Sequence, residues 1–266
     1  MREIACLFGS DQHLSGIVTE PNGEAKEALI LISAGLLPKH GPYRLYAEIA
    51  RAVAEDGRLV LRFDLGGIGD SGLGSESGEL QVRTAVEVQQ ALDLIASRYQ
   101  ITRFTLGGLC SGAEDALRAA VSDARVTGVL MIDPFAYRTS GWFWRHLIFR
   151  GMRRLLRAAG MYTPLHVASR ANTPSRPRVV VYDYMSHIES HGLLQQLIAR
   201  GVGLHLIYTG GMREHFNHTG QFRKMYPDLA FGELLKVDFI KGIDHTAPRW
   251  NDRRLIIENI LEHTFS

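Results

Sequence analysis

Cysteine is scarce in this chain: there are two in 266 residues, Cys6 and Cys110. Two thiols exclude a disulfide framework and a zinc site built from several cysteines. Excess charge is lacking as well, since 30 Lys and Arg stand against 28 Asp and Glu. That balance supplies no basic field for a phosphate backbone, so no nucleic-acid partner is expected. No run approaches the roughly 20 apolar residues that cross a bilayer. The opening "MREIACLFGSDQHLSG" lacks a signal-peptide apolar segment, which leads us to expect a cytoplasmic, reducing environment.

What remains is ordinary for a core-forming chain, with 45% hydrophobic and 22% charged residues. Short runs rich in β-branched residues alternate with helical patterns, which predicts βαβ units and a mostly parallel sheet. Strands are expected at Leu29–Ser33, Leu59–Asp64, Phe104–Leu106, Val126–Ile132, Gly203–Tyr208 and Leu234–Ile240, after an antiparallel hairpin at Ile4–Phe8 and Leu14–Thr19. Helices are expected at Tyr43–Ala54, Leu80–Tyr99, Ser111–Val121, Leu193–Ala199 and Asp252–His263.

Residues 134–187 are too many for a simple crossover. They read as a helical lid inserted into a single core formed by residues 1–133 and 188–266. The lid carries "SGWFWRHLIFRGMRRLLRAAGMY", then a polar linker, "ASRANTPSRPRV". A flap over a site is the first reading of the Trp/Arg segment, and contact with a membrane surface is the second.

The chemistry concentrates in "FTLGGLCSGAEDAL". Gly108-x-Cys110-x-Gly112, between a strand and a helix, has the spacing of a nucleophile elbow with cysteine in place of serine. The nucleophile of such an elbow sits in a strained turn, so its flanking positions must lack side chains. The following helix aims its N–H groups and positive end at the sulfur, favouring thiolate. Taken alone the string is a weak signal, because a buried cysteine is more often core filler.

Two further stretches strengthen it. In "LVLRFDLGGIGDSG", Asp64, Gly67, Gly69 and Ser71 match an RxDxxGxGxS run, and here the chain resembles the α/β-hydrolase superfamily. The resemblance implies an α/β-hydrolase fold and gives these four residues the task of shaping a loop beside the site. In "FIKGIDHTAP", a late strand delivers His245 where the superfamily places its general base. "GLCSGA" with "GIDHT" looks closest to cysteine-bearing hydrolases associated with exosortase systems; dienelactone hydrolases and polyhydroxyalkanoate synthases also use a GxCxG elbow.

The acid departs from the superfamily pattern. After "GLHLIYT", where relatives commonly carry aspartate, the loop reads "GGMREHFNH". Glu214 is the first choice for the acid and Asp133, at the end of the preceding strand, the alternative; Asp244 is expected to diverge from the ring. In "LILISAGLLPKHG" the backbone N–H of Leu36, with that of Ser111, is expected to form the oxyanion hole.

The expected activity is hydrolysis of an ester or thioester through a Cys–His–acid triad, on a small-molecule or carrier-bound acyl substrate. Acyl transfer through the same intermediate, or a non-catalytic binding role, are the alternatives. Trp142, Phe143 and Trp144 are candidates to line an acyl pocket or to pack the lid onto the body, and the lid arginines to face solvent or an anionic carrier. No metal or cofactor is expected, because His187, Glu189 and His191 do not make an HExxH pattern and His215 and His218 read as a solvated turn.

Overall fold

Eight strands form one sheet within residues 1–74, 79–158 and 185–265, the part of the chain that the computed structural model describes. They are β1 (Arg2–Phe8), β2 (Leu14–Glu20), β3 (Ala28–Ile32), β4 (Leu59–Phe63), β5 (Phe104–Leu109), β6 (Val126–Ile132), β7 (Gly203–Thr209) and β8 (Leu235–Ile240). The order across the sheet is β1-β2-β4-β3-β5-β6-β7-β8. β1 and β2 pair antiparallel and β2 joins β4 antiparallel, while every later pairing is parallel.

The helices are α1 (Leu45–Glu55), α2 (Leu80–Tyr99), α3 (Ser111–Ala120), α4 (Ser140–Ala158), α5 (His187–Ala199), α6 (Gln221–Met225) and α7 (Trp250–His263). Both faces of the sheet are covered, which is why β3 is apolar without alternation and β4, apolar except for Arg62 paired with Glu3 at 3.0 Å, is likewise wholly buried. Successive β3 residues still divide between the faces. Ile30 and Ile32 pack with Val88, Leu92 and Leu117 from α2 and α3, while Leu29 and Leu31 pack with Ile49 and Val53 from α1 and Ile256 from α7.

Two element boundaries differ instructively from expectation. β5 runs through the paired glycines to Leu109, because Gly108 pairs with Ile32 on one side and Met131 on the other. A double glycine at a strand end suggests a turn, but here it is a central strand with no room for side chains. α5 begins at His187, six residues before the expected start, because the Ser186 hydroxyl accepts the Glu189 N–H at 3.1 Å as an N-cap. Glu189 turns instead to Arg118, at 2.7 Å.

Of the expected lid, α4 is described through Ala158, and the polar linker at residues 168–179 lies outside the described residues. Among the described residues, no helix is long and apolar enough to cross a membrane.

Candidate active site

In a parallel sheet the loops that follow the strands gather at one edge, so residues distant in sequence converge there. Cys110 follows β5, Asp133 follows β6 and His245 follows β8. Cys110 has φ 54° and ψ −119°, a left-handed turn uncommon for a side-chain-bearing residue. Its N–H donates to the Ile132 carbonyl at 2.9 Å, and its own carbonyl accepts the Ala113 N–H, the first bond of α3.

The need for glycine on both sides is steric. A Cβ on Gly108 would lie 2.3 Å from the Gly112 carbonyl carbon, and one on Gly112 would lie 2.5 Å from the Ile32 carbonyl oxygen. Both obstacles are backbone and cannot swing aside. Gly112→Ala should therefore force α3 away from β3 and destabilise the protein by about 1–3 kcal/mol. Denaturant unfolding checks this; an unchanged midpoint would mean that the elbow tolerates a wider turn.

Tyr46 braces the turn from α1. Fully buried, it donates its hydroxyl to the Ile32 carbonyl at 3.0 Å and accepts the Leu109 N–H at 2.6 Å, linking β3 to β5 one residue before the cysteine. Burial raises its phenol far above the usual range, so it remains a neutral donor.

The His245 Nδ1 lies 2.8 Å from Asp133 Oδ2, and Cys110 lies close enough to the ring to influence its charge. Nε2 is therefore the nitrogen available to the sulfur. The Asp133 carboxylate, and after it the neighbouring Cys110, outweigh partial burial and push the imidazolium pKa up to about 10. Asp133 is 2% exposed and held from the far side by Thr209, whose N–H donates to Oδ1 and whose hydroxyl donates to Oδ2, both at 2.6 Å. The pairing follows from topology. Asp133 closes the strand beside the one that carries Cys110, and Ile132 lies in register with Ile207, two residues before Thr209.

The structure thus places Asp133, not Glu214, against the histidine. Glu214 is exposed beyond β7, and its backbone carbonyl is held by Arg138 at 2.9 Å. Two glycines stand where the loop turns against the histidine. A Cβ on Gly210 would meet the Lys241 carbonyl oxygen at 2.2 Å, and one on Gly211 the His245 nitrogen at 2.6 Å. The β7 loop and the histidine loop lie so close that no side chain, carboxylate included, fits at either position. Asp244 does diverge from the ring: it accepts the Thr246 N–H and hydroxyl at 3.1 and 2.9 Å, which hold its carboxyl below the usual range.

The oxyanion candidates lie on two loops joined by a hydrogen bond. Gly35 N–H donates to the Ser111 hydroxyl at 2.7 Å, so the loop after β3 is tied to the first residue of α3. Leu36 follows within the turn closed by Leu37 N–H to the Ala34 carbonyl at 2.9 Å, and its side chain faces solvent. Beside it, Asp64 is fully buried and accepts the Lys39 ammonium at 2.7 Å and the Asp70 N–H at 3.0 Å. Gly69 has φ +54°, and a Cβ there would lie 2.4 Å from Asp64 Oδ2. Ser71 donates to the Asp64 carbonyl at 2.7 Å and accepts the Ser15 N–H at 2.8 Å. These residues shape the loop, as the resemblance implies.

The three lid aromatics do not act as one set. Trp142 is buried and stacks on His146 with ring centroids 4.6 Å apart, whereas Phe143 and Trp144 are 57% and 67% exposed. His187 Nε2 donates to the Met225 carbonyl at 2.8 Å and its ring stacks on Tyr226, and His191 meets Asp228 at 2.7 Å, so both are engaged in packing α5 onto the α6 region.

Thr209 and Tyr46 were not anticipated from the sequence. Threonine at the end of a β-strand before Gly-Gly is a faint signal for the first, and nothing marks the second among nine tyrosines.

No family model and no curated protein matches the chain. Solved structures do. An alpha-beta serine hydrolase homologue from Coxiella burnetii superposes with a TM-score of 0.59 at 15% identity, covering 98% of both chains. XC6422 from Xanthomonas campestris, described as an a/b serine hydrolase without lid, gives 0.57 at 14% identity over 100% of this chain and 97% of that one. The alpha/beta hydrolase GrgF from Penicillium sp. sh18 gives 0.61 at 17% identity over 98% and 97%. At such identities the likeness concerns the fold, and the chain has the α/β-hydrolase fold.

Proposed function

We propose that this protein is a hydrolase acting on an ester or thioester carbonyl through a covalent acyl-enzyme on Cys110. One observation carries the reading: a cysteine in a left-handed strand-to-helix turn lies close enough to His245 to favour its imidazolium, and the Nδ1 of that histidine meets a buried aspartate at 2.8 Å. The same fold is described as a serine hydrolase in two of the similar structures and as a cold-adapted esterase in a third, from an Arctic intertidal metagenomic library, with a TM-score of 0.54 at 13% identity over 99% of this chain and 93% of that one.

Asp133 holds the His245 ring with Nε2 toward the sulfur and stabilises the imidazolium. With the proton already on Nε2, the Cys110 sulfur attacks the carbonyl carbon as the thiolate of a thiolate–imidazolium pair. The carbonyl oxygen takes the negative charge against the Leu36 and Ser111 N–H groups. The tetrahedral intermediate collapses as the imidazolium protonates the leaving oxygen or sulfur, leaving a thioester on Cys110. Water, activated by His245, then releases the acid and restores the thiolate–imidazolium pair.

A thioester intermediate also suits attack by an acceptor nucleophile, so transfer is the second reading. Partition of product decides it. With a p-nitrophenyl ester and an acyl thioester, hydrolysis gives free acid at the rate of thiol or phenol release. Added alcohols, amines or thiols that divert more than a few per cent of the acyl group would favour transfer. Failure of wild type to turn over any substrate in the panel would contradict both and favour a non-catalytic binding role.

A further inference from the structure

A cavity of about 590 Å³ opens beside the histidine, between α4, the loop after β7 and the end of β8. Gly211 forms part of its wall, and that glycine approaches His245 so closely that a Cβ would fall 2.7 Å from the histidine Cβ. The cavity is therefore one residue layer from the proposed general base. Phe149 and Phe239 supply apolar wall; Arg145, Arg213 and Lys241 supply three cations against one carboxylate, Glu214.

The cations are not neutralised from within. Among the described residues, none of the three forms an ion pair with a carboxylate. Arg213 donates to the Lys241 carbonyl at 2.7 Å and Arg145 to the Gly141 carbonyl at 3.3 Å, each spending one N–H of five. Arg213 and Lys241 otherwise rest near the Phe149 and Phe239 rings, both at 6.0 Å. Their positive field reaches neighbouring groups: after burial, Arg145, Lys224 and Lys241 are what hold the His218 imidazole below its usual range. Arg213 and Lys241 are exposed at the cavity, and their free N–H groups are placed to donate to anionic oxygens.

We propose that this cavity seats the anionic part of the substrate, a phosphate or carboxylate carried away from the reacting carbonyl. The proposal rests on Cys110 acting as the nucleophile at the adjoining site. It gives the acyl substrate a class: an ester or thioester bearing a negative charge, with Arg213 and Lys241 as its recognition residues.

Matched substrate pairs test it. Butyryl-CoA against butyryl-N-acetylcysteamine places phosphate on the leaving-group side; p-nitrophenyl hemisuccinate against p-nitrophenyl butyrate places a carboxylate on the acyl side. The charged member of one pair should have a kcat/KM at least tenfold higher in wild type, identifying the side. Arg213→Gln and Lys241→Gln should each lower that charged-to-neutral ratio roughly tenfold or more. Lys236→Gln, which removes the same charge from β8 outside the cavity, should keep it. Raising salt from about 0.05 to about 0.5 M should compress the ratio. Ratios near one in wild type, or ratios unmoved by both substitutions, overturn the proposal while neutral-substrate turnover leaves the Cys110 reading standing. If no substrate is turned over, the Cys110 reading fails separately, and calorimetric titration with inorganic pyrophosphate and succinate decides the cavity. Binding weakened in Arg213→Gln and Lys241→Gln would support it, and absence of binding would overturn it.

Discussion

Asp133→Asn should lower kcat by roughly 10³- to 10⁴-fold, and Glu214→Gln by at least a hundredfold less. The asymmetry follows from position. Asp133 is fixed by two Thr209 donors, one on each carboxylate oxygen, and its Oδ2 lies 2.8 Å from His245 Nδ1, whereas the Glu214 side chain projects from an exposed loop. An asparagine of the same size fills the Asp133 site but cannot stabilise imidazolium. If its amide turns toward the ring it donates to Nδ1, leaving the proton on Nε2, where it cannot accept from sulfur. Steady-state kinetics on a p-nitrophenyl ester, with thermal unfolding to confirm that Asp133→Asn is folded, check the result. A larger loss from Glu214→Gln would mean that the loop after β7 rearranges to supply the acid.

The pH profile should show the same coupling. In the wild type, His245 keeps its proton up to about pH 10, because Asp133 and Cys110 both favour the imidazolium and burial opposes them only in part. Acylation that needs this proton on the leaving group should fall on an alkaline limb near pH 10. Removing the Asp133 charge removes the largest cause, so in Asp133→Asn the limb should move down from about pH 10 toward the ordinary histidine value of 6.5. The corresponding stabilisation has a definite sign. A raised folded-state pKa stabilises fully below the unfolded value of 6.5 and the effect is lost as pH climbs through about 10. Single-turnover rates from about pH 5 to about pH 11 measure the limb; limbs that coincide in the two proteins would exclude Asp133 as the origin of the shift.

Much of the fold was legible because both faces of its sheet are buried. Continuous apolar runs such as "LILI" have few other homes, and α2 is found where its pattern places it, at Leu80–Tyr99. The elbow was legible through its glycines, because two close backbone approaches leave a residue-type requirement at fixed spacing. The acid was harder to read. Chain order after β7 favoured Glu214, but the carboxylate that meets His245 is Asp133, which closes β6, one of the two strands beside β5. Residues that act through backbone groups of distant segments leave still less trace. Tyr46 meets Ile32 and Leu109, and Thr209 meets Asp133, through contacts that exist only once the sheet has closed. The lid aromatics misled for a related reason: helical spacing shows that Trp142, Phe143 and Trp144 cannot share one face, but not which of them the body covers.

Intact-mass measurement after brief mixing with an acyl thioester and a p-nitrophenyl ester tests the central claim most directly. Wild type should gain the mass of one acyl group, mapped to the peptide bearing Cys110 and cleared on further incubation, and Cys110→Ala should gain none. An adduct of equal amount on both proteins, or turnover of the ester by Cys110→Ala at the wild-type rate, would contradict Cys110 as the nucleophile.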